Sequence, residues 1–596
     1  MGNAAGRMTT TAPASPSVIL FDGVCNLCNG YVNFVTGRAR IMTWAPAAFF
    51  SAVLLLQAVP AGAASDLDGA EKRASELYTR GSYPEAAAEA AKALETAERT
   101  YGPDDRRTAS WTVTLALFRA AEGRYEEADK LALRAETKAR KLPEASDVLA
   151  TALQRRAELA RLGGRYTEAE VFYTEAAGLY RELGEAFRDQ TLTCVDGMTA
   201  LYRDQGRYDL AESLARQNIL LAERYYGEDR PEYARTLYGL AEALRLNGRY
   251  HEAEKVLSRV IVILTQALGA AHPETASALG TYAQVLRTLA RYDEAENTCR
   301  RALTAVSKAY GVEHPETARL MNELAAIYQA RMRYAEAQPL AQHALKVSEK
   351  SFGEANPEPA SAMQNLGALY VGQGMFGEAK VLYKQAITRL ERTLGPDHPE
   401  LVTPLHNLAI LYMYNGKLDL AGSECRRALA LAERALGARH PKTAAALHQL
   451  AELERRSGRY AEAEPLYIRA LGIFEDELGT RYPETAACLN NLGLLYRAQK
   501  RYDAAVLSYR KALEISESSL GSDRSEVAAA LNNLGVVHTL QDRYDEADRY
   551  YTRALSILQD QFGSDHPRTQ QVRRNIEASY DRSRSAVGNV DGKSAA

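Results

Sequence analysis

Residues 483–521 read PETAACLNNLGLLYRAQKRYDAAVLSYRKALEISESSLG, and this stretch decides the fold. Pro483-Glu484-Thr485 opens a helix with proline in its first turn, where the missing N–H leaves no bond unmade. Leu489, Leu492, Leu495 and Tyr496 then recur at helical spacing and form one apolar face. The polar Lys500-Arg501 predicts a turn, and Ala505, Tyr509, Ala512 and Leu513 form the face of a second helix. Gly521 directly after Leu520 predicts a stop in a left-handed C-terminal cap. The unit is helix, turn, helix, stop, and neither helix can bury its face alone.

The unit repeats. Its best-preserved phrase, G-R-Y-x-E-A-E, recurs at Tyr83, Tyr125, Tyr166, Tyr208, Tyr250, Tyr292, Tyr334, Phe376, Leu418, Tyr460, Tyr502 and Tyr544. Ten of the eleven intervals are 42 residues, and the one from Tyr125 to Tyr166 is 41. Alanine stands three positions after the marker in every copy, Ala86 and Ala505 among them, so the paired helices can approach closely. Such a register leaves no room for an inserted catalytic domain between residues 66 and 584. Neighbouring pairs must stack into a superhelix whose concave side is lined mainly by the first helix of each pair.

Composition agrees with a folded protein that has no charge-driven partner. Apolar residues make up 46% and charged residues 25%, which excludes a largely disordered or polytopic membrane chain. Lys plus Arg (73) nearly balances Asp plus Glu (76), so no basic field points to nucleic acid. Six cysteines in 596 residues are too few for a disulfide scaffold.

The order L-G-x-L-Y followed by A, Y/F and A, carried by Leu492-Gly493, Tyr496, Ala505, Tyr509 and Ala512, resembles the tetratricopeptide repeat. The 42-residue period exceeds the usual 34. The longer second helix and its loop, with A-L-G-x-x-H-P-E-T at 267–275, resemble the repeats of kinesin light chains. The resemblance implies an all-α, right-handed helix-turn-helix solenoid of about twelve repeats plus a closing helix near Thr569 to Arg582. It also implies a groove that holds peptides or partner proteins.

The N-terminal residues differ. The apolar run from Ala47 to Val59 is preceded by Arg38 and Arg40, bounded by Pro46 and Pro60 and followed by Ala61-Gly62-Ala63, which reads as a signal peptide over residues 42–63. The expectation is export, to the periplasm or beyond the cell, with a mature chain starting at Ala64. A membrane-anchored or cytoplasmic protein is the alternative, and membrane contact follows only if the signal stays uncleaved. Upstream, V-I-L-F-D-G-V-C-N-L-C-N-G-Y-V-N-F-V (residues 18–35) resembles the opening of the DCC family of thioredoxin-like thiol-disulfide oxidoreductases. That resemblance implies a redox dithiol, Cys25 and Cys28. It ends near Gly37, so residues 1–41 read as a truncated fragment, and Met42 is a candidate start.

Other chemistry is weighed and set aside. Gly372-x-Gly374-x-x-Gly377 matches a dinucleotide fingerprint but falls between two repeat helices with no preceding strand. His272, His314, His398, His440 and His566 occupy one loop position in different repeats; stacked units keep them apart, so they are expected to set the start of the following helix and to bind no metal. Cys194, Cys299, Cys425 and Cys488 read as small core fillers. No catalytic residue, metal or cofactor is expected outside the redox alternative. Residues 585–596 read as a disordered tail.

The groove remains. One first-helix position reads Asn365, Asn407, Gln449, Asn491, Asn533 and Asn575 in six successive units, where earlier units hold Gly197, Gly239, Thr281 and Glu323. A side-chain amide donates and accepts, so a periodic row can pair with the backbone of an extended peptide. In tetratricopeptide proteins this position resembles the groove asparagine that contacts ligand backbone. The cationic clamp for a C-terminal carboxylate is absent, its places being held by Gln364, His406, His448, Ser361 and Thr403. The expected function is a non-catalytic scaffold for extended protein or peptide ligands, without nucleic acid or small-molecule cofactor. The alternatives are a thiol-disulfide oxidoreductase and a purely structural or oligomerisation scaffold.

Overall fold

The computed structural model describes residues 63–354, 356–479 and 482–593. Cys25, Cys28 and most of the signal-like stretch lie outside the described residues. Among the described residues there are twenty-five α-helices and no strand. They form twelve antiparallel pairs, from Ala63–Thr79 with Tyr83–Tyr101 through Ser525–Leu540 with Tyr544–Phe562, and one further helix, Pro567–Lys593. The fold is the expected solenoid. One boundary changes: the last helix continues over residues 585–593, which the sequence suggested were disordered tail. No proline interrupts that segment, and extending an existing helix by a residue costs far less than nucleating one.

Each second helix starts on the repeat marker, aromatic in every unit but that of Leu418, and the alanine three positions later is fully buried in every unit, Ala86, Ala253 and Ala505 included. The tyrosine seven positions on fills the space between paired helices: Tyr173, Tyr467, Tyr509 and Tyr551 are all buried. In four places a first-helix glycine lies against such a ring, in the following repeat for Tyr173 and in the same repeat for Tyr383, Tyr509 and Tyr551. An added Cβ on Gly197, Gly367, Gly493 or Gly535 would lie 2.5–2.6 Å from the ring of Tyr173, Tyr383, Tyr509 or Tyr551.

The helix ends follow a fixed code. First helices close with the residue before the repeat Arg in the left-handed region. Glycine holds the place in most units, and Ala290 (φ 48°), Met332 (φ 59°), Lys500 (φ 61°) and Asp542 (φ 59°) hold it in the others. The next N–H then bonds five residues back, as from Arg291 to Leu286 O (2.9 Å) and from Arg501 to Tyr496 O (2.8 Å). Second helices end differently from the expected left-handed cap. Gly269 has φ 96° and ψ 156°, and Gly437 φ 94° and ψ 162°. This extended, positive-φ conformation is open essentially to glycine alone and throws the chain outward into the loop.

All five loop histidines cap the helix they precede. Nδ1 accepts from the backbone N–H two residues on, at 3.2 Å for His272, 3.1 Å for His314, 3.2 Å for His398, 2.9 Å for His440 and 3.2 Å for His566. Proline follows each at a position that needs no donor.

The chain divides into two compact units within the helix Pro483–Ala498, one ending at Cys488 and the other resuming at Leu489. In the first, the capping position does a second job. Because Nδ1 of His314 accepts, Nε2 carries the hydrogen, and it donates to Thr79 O at 3.2 Å. One repeat on, Asn356 Nδ2 donates to Ala121 O (3.0 Å), and then His398 Nε2 to Leu162 O (2.7 Å), His440 Nε2 to Asp204 O (3.1 Å) and Tyr482 Oη to Leu246 O (2.9 Å). These five partners are 235 or 236 residues apart, so within this unit each superhelical turn is stitched to the next by a periodic seam.

Candidate functional site

The first helices carry the polar row. In Pro441–Arg456 every residue from Pro441 to Glu454 is buried, so the row faces a closely packed interior rather than an open trough. Asn407 is 4% exposed, Gln449 2%, Asn491 5%, Asn533 6% and Asn575 2%. Asn365 is half-buried.

The buried amides are satisfied by the neighbouring repeat. Asn533 Nδ2 donates to Asn490 Oδ1 at 2.9 Å, and Asn575 Nδ2 to Asn532 Oδ1 at 2.8 Å. Asn407 Nδ2 reaches Gln364 Oε1 at 3.5 Å, and Gln449 Nε2 faces Met413 Sδ at 3.8 Å. The three amide pairs are 43 residues apart, because a ladder residue meets the position just before the ladder in the previous unit. The same geometry continues upstream with other chemistry: the hydroxyls of Tyr238 and Thr281 lie 2.7 Å apart at the same spacing. Glu323, on the ladder position, accepts from Arg287 Nε at 2.7 Å, both side chains being about 2% exposed. Of these partners, the sequence singled out only Gln364, as a place lacking a cationic clamp; Asn490 and Asn532 stand at the same repeat position, and the 43-residue offset emerged only in the folded chain.

Neutral and ionised groups share this interior. Burial, helped by each other's proximity, lowers His406 to about 3, and burial lowers His448 to about 4, so both imidazoles are uncharged at neutral pH. Burial would raise Glu452, but the guanidiniums of Arg455 and Arg456 overcome it and bring its carboxyl to about 2. Tyr467 Oη adds a hydrogen bond to Glu452 at 2.8 Å. The cysteines are inert fillers. Cys194, Cys299, Cys425 and Cys488 are buried thiols outside any disulfide among the described residues, and burial raises the thiol pKa of Cys194, Cys299 and Cys425.

Asn365 differs from the rest of the row. It makes no hydrogen bond to another described residue and lines a small opening with Asn322, Ala325, Gln329 and Ala341. The Oδ1 of Asn322 is buried there without a hydrogen-bond partner. Two amides of adjacent units therefore keep unspent hydrogen-bonding capacity at one point on the inner wall. Among the described residues no cluster of three or more His, Cys, Asp or Glu side chains is arranged to hold a metal ion. No helix of the described residues is long and apolar enough to cross a membrane.

A family model described as tetratricopeptide repeat matches residues 191–266, 236–308, 274–350, 316–392, 400–476, 443–518 and 526–585, well over half of the chain. A second tetratricopeptide repeat model matches residues 73–107. Among solved structures, a Podosopora anserina kinesin light chain with nearly identical TPR-like repeats is 25% identical, with a TM-score of 0.30 over 34% of this chain and 97% of that one. BtubC (BKLC) from P. vanneervenii is 23% identical, with a TM-score of 0.33 over 40% of this chain and 92% of that one. A Rap protein complexed with Competence and Sporulation Factor is 14% identical, with a TM-score of 0.45 over 69% of this chain and 99% of that one. No curated protein matches the chain.

Proposed function

We propose, from the premise that the chain belongs to the tetratricopeptide repeat family, that it is a protein-interaction scaffold whose inner wall pairs with the backbone of an extended protein segment. The half-buried Asn365 beside Asn322 carries this reading. There the amide row is unsatisfied, so a peptide amide and carbonyl gain bonds without first breaking any. The segment enters at that opening, because Asn407 and Gln449 farther along the row are closed in the packed wall. The segment is exported or cytoplasmic with the chain itself; export follows from the signal-like residues 42–63 and is tested by N-terminal sequencing of protein from its producing cells. The redox alternative at Cys25 and Cys28 has no support from the repeats.

Selecting displayed random peptides on the full chain and titrating one selected peptide tests the reading. Asn365→Ala together with Asn322→Ala is expected to weaken binding at least about tenfold, one unpaired backbone group in a dry site costing on the order of 1 to 3 kcal/mol. Unchanged affinity in that double variant places binding elsewhere on the repeats.

A further inference from the structure

The seam of the first unit borders a cavity, and Gln364 of the inner wall contributes to its lining. Its empty space is about 930 Å3, open solvent at the mouth included. One side comes from Tyr125, Leu162 and Tyr166 of early repeats, and the other from Leu390 and Leu394 with the loop residues Glu358 and Glu400. Two polar groups of its lining residues have no hydrogen-bond partner among the described residues. The Tyr125 hydroxyl is buried with no hydrogen bond. The Glu358 carboxylate has neither a hydrogen bond nor an ion pair with any described residue, although its backbone N–H donates to Asn356 Oδ1 at 2.9 Å. A buried hydroxyl left so is costly, and native structures keep few of them, whereas the Glu358 carboxylate is half-buried.

The other charges around the cavity define what it accepts. Arg161 and Asp204 neutralise each other across 2.6 Å. Lys442 and His398 complete the lining, and His398 is occupied by its cap and by Leu162 O. Glu400, from the next loop, and Glu316, from the preceding repeat, both act on Glu358 with like charge. No third ligand converges with the carboxylates to hold a metal ion. What is missing is one positive charge with several donors, attached to an apolar body that suits the leucine wall.

We propose that this seam cavity binds a small organic ammonium ion, whose N–H groups donate to the Glu358 carboxylate and the Tyr125 hydroxyl while its hydrocarbon part packs on Leu162, Leu390 and Leu394. Tyr166 also lines the cavity. Its anchoring groups, Glu358 and Tyr125, are distinct from Asn365 and Asn322, so the failure of one reading leaves the other testable. Burial, with Glu400 and Glu316 adding repulsion, pushes the Glu358 carboxyl up to about 8. The carboxyl of the empty site is therefore mostly protonated at neutral pH, and a bound ammonium expels that proton. No covalent step is involved. One proton leaves as one cation enters.

Calorimetric titration of the full chain with phenethylamine, and with phenethyl alcohol as its neutral counterpart, tests this. The amine is expected to bind and the alcohol not. Amine affinity should rise about tenfold per pH unit below about 8 and then level off. At neutral pH the binding heat should vary with the ionisation enthalpy of the buffer, reporting close to one proton released. Glu358→Gln should abolish binding and proton release with helicity and thermal unfolding retained, and Tyr125→Phe should weaken binding with the pH slope unchanged. Equal binding of amine and alcohol, an intact pH slope in Glu358→Gln, or no binding heat at millimolar amine in mildly alkaline buffer would each overturn the proposal.

Discussion

At the scale of single residues, the repeat is held by a glycine that makes room and a tyrosine that fills it. Gly493 lies inside the helix Pro483–Ala498, where glycine ordinarily weakens a helix, yet an added Cβ would meet Tyr509 Cε1 at 2.5 Å. Tyr509 is fully buried and has no space to yield. Gly493→Ala should therefore destabilise by about 1 to 3 kcal/mol through overpacking, despite the helix-propensity gain of about 1 kcal/mol. Gly472→Ala, in the helix Tyr460–Leu478 with nothing within 4 Å of its Cβ position, should stabilise instead. Urea unfolding followed by circular dichroism compares the two, and equal signs would show that the ring can move aside. The L-G pair was legible in the sequence as part of a repeat; its collision with a tyrosine sixteen residues later was not, because only the turn geometry brings the two together.

At the scale of the helix, the amide row works chiefly between neighbours. The sequence shows a periodic line of side-chain amides, and the expectation of an open polar stripe follows from the first-helix position alone. Packing placed most of the row inside and paired Asn407, Asn533 and Asn575 with partners 43 residues back. Asn533→Ala should leave Asn490 Oδ1 unpaired in a part-buried site and cost about 1 kcal/mol. Asn365→Ala breaks no hydrogen bond and should stay within about 0.5 kcal/mol of the parent. Hydrogen exchange across Ser525–Leu540 should reveal the first loss as faster local opening, since damage in stacked repeats spreads by nearest neighbours. Identical stabilities for the two variants would return the row to a wetted surface.

At the scale of the whole first unit, the seam turns a chain of local contacts into one with long-range closure. His440 caps its own helix and also holds Asp204 O, whereas His272 shows the cap. Losing a cap costs about 0.5 to 2 kcal/mol, and losing the cross-turn bond adds about 0.5 to 1.5 kcal/mol. His440→Ala should therefore destabilise more than His272→Ala by roughly that second amount, measured by thermal unfolding of both variants. The turns that receive the stitches carry glycine for a second reason: Cβ positions at Gly81, Gly206 and Gly248 would lie 2.5–2.8 Å from Pro315, Pro441 and Tyr482. Ala290 and Met332 show that other side chains can adopt the same left-handed turn.

The amino-acid sequence by itself determined the number of repeats, the helix pairing, the buried alanines and the capping histidines. Each of these depends on contacts within one unit or with its immediate neighbour, and a 42-residue period displays such contacts twelve times over. Tertiary structure alone decided which repeats meet across a superhelical turn. The offset of 235 or 236 residues is set by the small rotation between successive pairs, summed over more than five of them. No local pattern encodes that sum. It is why the seam, the cavity beside Glu358 and the closure of the inner wall over Asn407 and Gln449 emerged only from the folded chain.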